Sequence, residues 1–385
     1  MRILHTSDWH VGKTIRGASR LDEHRRVLGE IAQVAKDRTV DLVLVAGDLY
    51  ESAAPSAEAE QVVLRALLDL HDTGAKVVVV AGNHDNPGRF EAIRPLMGEL
   101  GITVLGHVAR PEAGGVIEHT TPAGERAHLA LLPFCSQRYA VRAAELMSQE
   151  GFENVGLYAE KLRGILQALT ADFGGDAVNL VVAHGMVRGG KTGGGERDAQ
   201  TAFEDYWIDA SAFPATAAYV ALGHLHLAQK MPGGAPIWYS GSPIQVDFGE
   251  AGAGKHVLVV EAAPGRPASI EQVPLTTGEE LRTVSGTLAE LQALAANEDL
   301  GGAWLRVVVT EPARAGLADD VRALLGDRVV EVRIEAGDSV ERKPGARRSG
   351  RSPYDLFAAY LDEQNIADDR LGALFAKLLD EELSR

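Results

Sequence analysis

Short aliphatic runs, RILHT at 2–6, DLVLVA at 41–46 and KVVVVA at 76–81, alternate with stretches whose apolar positions recur at helical spacing over 21–36 and 57–72. Continuous apolar runs of this length suit strands buried on both faces. Strands separated by helix-length segments are joined by crossovers, so the alternation predicts βαβ units. The theme continues in HLALLPF at 128–134, VNLVVA at 178–183, AYVAL at 218–222, PIWYS at 236–240 and HVLVVE at 256–261, with a further helical pattern over 155–169. A two-layer sheet core covered by helices is the expectation. AAPGRPAS at 262–269, with two prolines and a glycine, reads as a boundary, which ends the first domain, 1–265, near its last strand.

Over 270–340 the order is strand, strand, helix (288–296), strand, helix (317–325), strand, a compact α+β unit without a catalytic-looking cluster. ERKPGARRSGR at 341–351 carries Arg342, Lys343, Arg347, Arg348 and Arg351 among Gly, Pro and Ser, and reads as an exposed basic linker. Ser352, Pro353 and Asp355 then form a helix start, with Tyr354, Phe357 and Leu361 on one stripe and Leu371, Leu374, Phe375 and Leu378 on a second. Two short amphipathic helices bury little alone, so the segment 352–385 either docks on the body or grips a partner.

Composition leaves this picture intact. With 385 residues, 45% apolar and 24% charged, the chain has the profile of a soluble globular protein, and its length fits two or three domains at about 150 residues each. No apolar run approaches the roughly 18 residues that span a bilayer, and MRILHTSDWH has too short an apolar stretch for a secretory signal, so a cytoplasmic, nucleoid-associated protein is expected. Cys135 is the only cysteine, which excludes an internal disulfide or a thiolate cage; its apolar neighbours make it a core residue. The net charge of −16 argues against a generally basic, nucleic-acid-binding surface.

The chemistry lies at the ends of the strands. Asp8 and His10 follow the first run, Asp48 the second, and Asn83, His84 and Asp85 the third; His184 follows VNLVVA, and His224 and His226 follow AYVAL. Carboxyl ends of parallel strands line a common crevice, so side chains distant in sequence can converge there. Imidazole, carboxylate and amide ligands without sulfur suit Mn, Fe or Zn, with Mn the first choice. Four histidines, two aspartates and an asparagine exceed the needs of one ion. A carboxylate bridging two ions roughly 3.5–4 Å apart would use them all, and Asp48 is the natural bridge. Such a pair equips a site for phosphodiester hydrolysis. His5, His24, His71, His107, His119, His128 and His256 have no such company and read as structural.

Taken together, DWH, GD at 47–48, GNHD at 82–85, HG at 184–185 and GHLH at 223–226 resemble the calcineurin-like metallophosphoesterases, whose fold is a sandwich of two mixed sheets flanked by helices. HTSDWHVGK, VAGDLYE, VVAGNHD, VALGHLH and YSGSPI are similar to the branch formed by SbcCD-type nuclease subunits, and the resemblance covers nearly the whole chain. It implies that Asp8, His10, Asp48 and His226 hold one metal and Asp48, Asn83, His184 and His224 the other. His84 would be the acid or phosphate stabiliser, a role typically contributing about 10² to 10⁴ in rate, and Asp85 would orient its ring. It also implies that 270–340 is a capping domain and that the C-terminal helices contact an SbcC-type ATPase. The function implied is single-strand endonuclease and 3′ to 5′ duplex exonuclease action on DNA in double-strand-break repair, hairpin processing and recombination, by a homodimer. Archaeal relatives carry histidine where this chain has Glu51.

GMVRGGKT at 185–192 satisfies the phosphate-loop pattern, but three glycines follow where a phosphate loop opens into a helix, and its first residue adjoins His184. It reads as a mobile rim loop in which Arg188 and Lys191 face either the DNA backbone or solvent; Lys13, Arg16 and Arg89 have the same two readings. Two rivals share the pattern: a small-molecule or phosphoprotein phosphatase with the same metal centre, and a non-catalytic scaffold.

Overall fold

The computed structural model describes residues 1–136, 140, 158–194, 196, 207–297, 300, 302–335, 354, 357–358, 360–361 and 369–383. Strands β1 (Arg2–Thr6), β4 (Leu42–Ala46), β5 (Lys76–Val80), β6 (Thr103–Leu105), β15 (His256–Ala263) and β16 (Arg266–Pro274) form one six-stranded sheet in the order β16-β15-β1-β4-β5-β6. Strands β7 (Val116–Thr120), β8 (Arg126–Leu132), β9 (Val178–His184), β12 (Tyr219–Gly223), β13 (Gln229–Met231) and β14 (Ile237–Tyr239) form a second in the order β13-β14-β12-β9-β8-β7. Short pairs β2 (Thr14–Ile15) with β3 (Ala18–Ser19), and β10 (Met186–Val187) with β11 (Trp207–Ile208), lie outside them.

The sheets stack face to face. Ile3, Leu42, Leu44, Val78 and Val80 of the first meet Leu129, Leu131, Leu180, Val182 and Tyr219 of the second in a fully buried layer. Strands β4, β5 and β9 are covered on their other face too, which is why they read as unbroken apolar runs. Helices α1 (Leu21–Asp37), α2 (Ala57–His71) and α3 (Pro87–Glu99) cover the outside of the first sheet. Helix α4 (Tyr158–Leu169) covers the second, burying Leu162, Ile165, Leu166 and Leu169. Cys135 is buried in the same outer layer.

Two details depart from the sequence expectation. Proline and glycine at 264–265 form the turn of a hairpin and not a domain boundary: β16 pairs antiparallel with β15, so the large sheet runs to Pro274. Its prolines are tolerated because it is an edge strand. Helix α3 has no counterpart in the apolar pattern. Asn86 caps it by accepting from the Arg89 amide at 3.2 Å and Pro87 starts it, but Pro95 lies inside and only Phe90 and Met97 are buried, so the apolar spacing is lost.

The C-terminal unit has its own core and a parallel three-stranded sheet, β17 (Leu281–Gly286), β18 (Trp304–Val309) and β19 (Val329–Ile334), with α5 (Leu288–Asn297) and α6 (Leu317–Leu325) as crossovers. The linker 341–351 and the helix start at Ser352, Pro353 and Asp355 lie outside the described residues. Beyond them α7 (Asp369–Leu383) stacks Phe375 on Phe357, ring centroids 4.2 Å apart, while Tyr354, Tyr360, Leu374 and Leu378 stay about half exposed. No helix among the described residues is long and apolar enough to cross a membrane.

Candidate metal centre

Strands β1, β4 and β5 run parallel in one sheet, and β9 and β12 run parallel in the other. Their carboxyl ends therefore emerge along one rim of each sheet. Stacking brings the rims together: His184 Nδ1, on β9, donates to Ala46 O, at the end of β4, at 2.8 Å. All seven side chains expected to ligate metal meet there, none more than 3% exposed.

The backbone is forced at this rim. Asp8 (φ 53°), His10 (φ 47°), Asp48 (φ 53°) and His224 (φ 113°) occupy left-handed space, which costs a non-glycine residue about 1–3 kcal/mol and persists only where neighbours over-determine it. They do so here. Asp8 N donates to Gly47 O at 2.9 Å and His10 N to Asp48 O at 3.0 Å. Asp8 Oδ1 accepts from His224 N at 2.9 Å, and Asp48 Oδ1 from His84 N at 2.7 Å. A side chain at Gly82 would collide with the Asp48 carboxylate, and one at Gly47 with the His184 ring, so both positions require glycine.

Asp48 stands between two groups. Its Oδ2 is 3.8 Å from His10 Nε2 and 3.4 Å from His184 Nε2. On one side His10 Nε2 is 3.1 Å from His226 Nε2, with Asp8 in the same group; on the other, Asn83 Oδ1 is 2.9 Å from both His184 Nε2 and His224 Nδ1. Asp8, His10 and His226, and Asp48, His184 and His224, each present ligand atoms within 4.8 Å of one another.

The ring tautomers test whether cations fit. His226 Nδ1 faces Gly194 O at 3.0 Å and Glu250 Oε1 at 3.1 Å, so it carries its hydrogen there; His10 Nδ1 is 2.9 Å from Glu51 Oε2. The His226 Nε2 lone pair then faces His10 Nε2 across 3.1 Å, a separation satisfied by a hydrogen on His10 or by a cation between the rings; His10 Nδ1, although close to Glu51, makes no hydrogen bond there. His224 Nε2 is buried without a hydrogen-bond partner. Imidazoles, buried carboxylates and an amide oxygen, with no sulfur, fit divalent cations.

Protons respond to the same crowding. Burial raises Asp8 to about 6 and Asp85 to about 7, the charge of Asp48 adding to both. Burial opposes ionisation of Asp48 too, yet the charges of His184 and His84 hold it well below the usual carboxylate range. Burial would also lower His184, but Asp48 lifts it to about 9. Asp48 is the anion the site is built around.

His84 is 7% exposed, and its Nδ1 donates to Glu51 O at 2.8 Å. Asp85, expected to orient that ring, instead accepts from Tyr50 N at 3.1 Å and Gly82 N at 2.8 Å, bracing the turn that carries Asn83 and His84. Four of the five cations expected from the sequence to face either DNA or solvent are engaged with acids. Lys13 binds Glu51 at 2.8 Å, Arg16 binds Glu331 at 2.9 Å, Arg89 pairs with Glu60, and Arg188 pairs with Asp209 at 3.2 Å and lies over Trp207. Lys191 is exposed, its backbone exchanging two hydrogen bonds with the Gln229 side chain. Among the described residues, 185–194 form strand β10 and a loop, with no helix opening at Lys191 or Thr192.

Sequence reasoning missed Glu196, Glu250 and Lys255. Glu196 accepts from the amides of Gly193, Gly194 and His226, and Lys255 Nζ sits 2.5 Å from Glu250. None follows a core strand, so the rule that finds the ligands passes over them.

The family profile described as calcineurin-like phosphoesterase matches residues 1–228, and the chain belongs to that family. A second profile, described as the type 5 capsule protein repressor C-terminal domain, matches 278–365. Within the family the chain falls in the SbcD branch. It is 39% identical over 285 residues to the SbcD component of the nuclease SbcCD of Bacillus subtilis, covering 73% of this chain and 71% of that one. The corresponding SbcCD component from Rhodobacter capsulatus is 32% identical, covering 92% and 91%, and that from Escherichia coli K12 is 33% identical, covering 76% and 73%.

Proposed function

We propose that this chain is the nuclease subunit of an SbcCD-type assembly and hydrolyses DNA phosphodiester bonds with two divalent ions, Mn²⁺ by preference. The observation that carries the reading is the position of Asp48 between two histidine groups drawn from both sheets. Asp8, His10, Asp48 and His226 would hold one ion, and Asp48, Asn83, His184 and His224 the other. When bound, the pair supplies an activated water and neutralises charge developing on the phosphate. The chain's own residues do the rest. The Glu51 carbonyl fixes the His84 tautomer, so a proton delivered to the leaving oxygen departs from Nε2. Asp85 keeps the turn beneath His84 rigid.

The unit after Pro274 serves as the capping domain. Half-exposed Leu374 and Leu378 on α7 support docking to an SbcC-type ATPase by an apolar helix face. Leu96 at 60% exposure and Leu100 at 40%, near the end of α3, are apolar positions that a second copy of the chain in a homodimer would cover. Nicking of supercoiled plasmid in Mn²⁺ tests the reading. A protein that hydrolysed only phosphomonoesters and left DNA intact would be a phosphatase, and one that bound no metal would be a scaffold.

A further inference from the structure

The segment 242–250, between β14 and β15, touches two different parts of the molecule. At one end it holds the capping domain. Gln245 Oε1 accepts from the Leu281 amide, the first residue of β17, at 2.7 Å, and the Arg306 guanidinium of β18 lies 4.1 Å from the centre of the Phe248 ring. Phe248 is buried with Ile15 and Leu281 in a small cluster that takes in Trp304 and Val330. On the body side, Arg20 donates to Gln245 O while pairing with Glu23.

Two residues after Phe248, in the same 3-10 turn (Phe248–Glu250), the Glu250 side chain is fully buried and faces the metal centre. Its Oε1 is 3.1 Å from His226 Nδ1, and its Oε2 accepts from Lys255 Nζ at 2.5 Å and from Val246 N at 3.3 Å. A carboxylate on one ring nitrogen fixes the tautomer, aims the other nitrogen and raises its basicity. One turn thus carries both a cap contact and the anion that aims His226.

We propose that Glu250 is a positioning residue for His226 and that the 248–250 turn transmits the seating of the cap to the metal centre, so that cap position regulates the affinity for the ion held by Asp8, His10 and His226. This rests on the two-metal reading above. The turn is packed against the 193–194 backbone: a Cβ at Gly193 would come within 3.1 Å of Glu250 Cγ, and one at Gly249 within 2.8 Å of Gly193 O.

Calorimetric titration of the metal-free full-length protein with Mn²⁺ tests it, using wild type, Glu250→Gln, Arg306→Ala and the double variant. Wild type binding two ions is the premise; binding none would overturn the two-metal reading itself. Glu250→Gln should weaken one of the two ions by about 10- to 100-fold and leave the other unchanged. Arg306→Ala, remote from the ligands, should weaken the same ion by about 3-fold or more. The double variant should lose no more than Glu250→Gln alone, since both changes act through one turn. Equal weakening of both ions by Glu250→Gln would mean general loosening and contradict the positioning role. Arg306→Ala binding like wild type would overturn the link to the cap, even if the Glu250 variant failed to fold.

Discussion

Asp48, at the end of β4, places Oδ2 3.4 Å from Nε2 of His184, at the end of β9 in the opposite sheet. The contact spans 136 residues of sequence and joins the two halves of the sandwich at the rim where the chemistry is proposed. An anion buried among imidazoles belongs to a cation site, and its removal should be felt at both ions. Asp48→Asn is expected to lower plasmid nicking at least about 10²-fold and to cost the protein more than one bound Mn²⁺ equivalent; calorimetry and a nicking assay on the same preparation check both.

His84 is expected to behave differently from the ligands. His84→Ala should lower kcat by about 10²- to 10⁴-fold while Mn²⁺ affinity stays at the wild-type value. A parallel loss of metal affinity would make His84 a ligand.

Acid should destabilise the fold through two histidines that are not metal ligands. Burial pushes His5 down to about 3 and His24 to about 4, against 6.5 for an exposed ring. Between those values the unfolded chain binds protons that the folded chain refuses. The contribution is therefore complete above about pH 7 and is lost as pH falls, by about 2 kcal/mol per histidine at pH 5. Urea denaturation at pH 7.5 and 5 measures the slope, and His5→Gln should reduce it by its share.

The exposed face of α7 should matter for assembly and not for chemistry. Leu374→Glu with Leu378→Glu is expected to abolish co-purification with an SbcC-type partner, while Mn²⁺-dependent nicking by the isolated chain is unchanged. Loss of both would mean that the helix supports the body.

Much of this was legible in the sequence, for physical reasons. Strands such as LVLVA and VNLVVAH are buried on both faces and read as unbroken apolar runs, and each halts at an aspartate or histidine that the core would not accept without a task. That contrast marks Asp8, Asp48, His184 and His224 without any knowledge of the fold. Helix α3 was illegible because Pro95 and an exposed Leu96 erase its periodicity, and β16 because an edge strand tolerates the prolines that elsewhere end domains. Glu250 could not be found at all: it lies 24 residues from His226, in a turn whose composition says only that it is a turn. Its significance is purely one of position. The ion pairs of Arg16 with Glu331 and Lys13 with Glu51 were hidden in the same way.

In the proposed site seven side chains from both sheets gather around two ions that share Asp48. Diffraction from crystals soaked in Mn²⁺, with anomalous differences recorded at the manganese edge, tests this most directly. Two peaks are predicted, one within bonding distance of Asp8, His10 and His226, the other of Asn83, His184 and His224, with the Asp48 carboxylate touching both. A single peak, or two peaks that Asp48 does not reach, would contradict it.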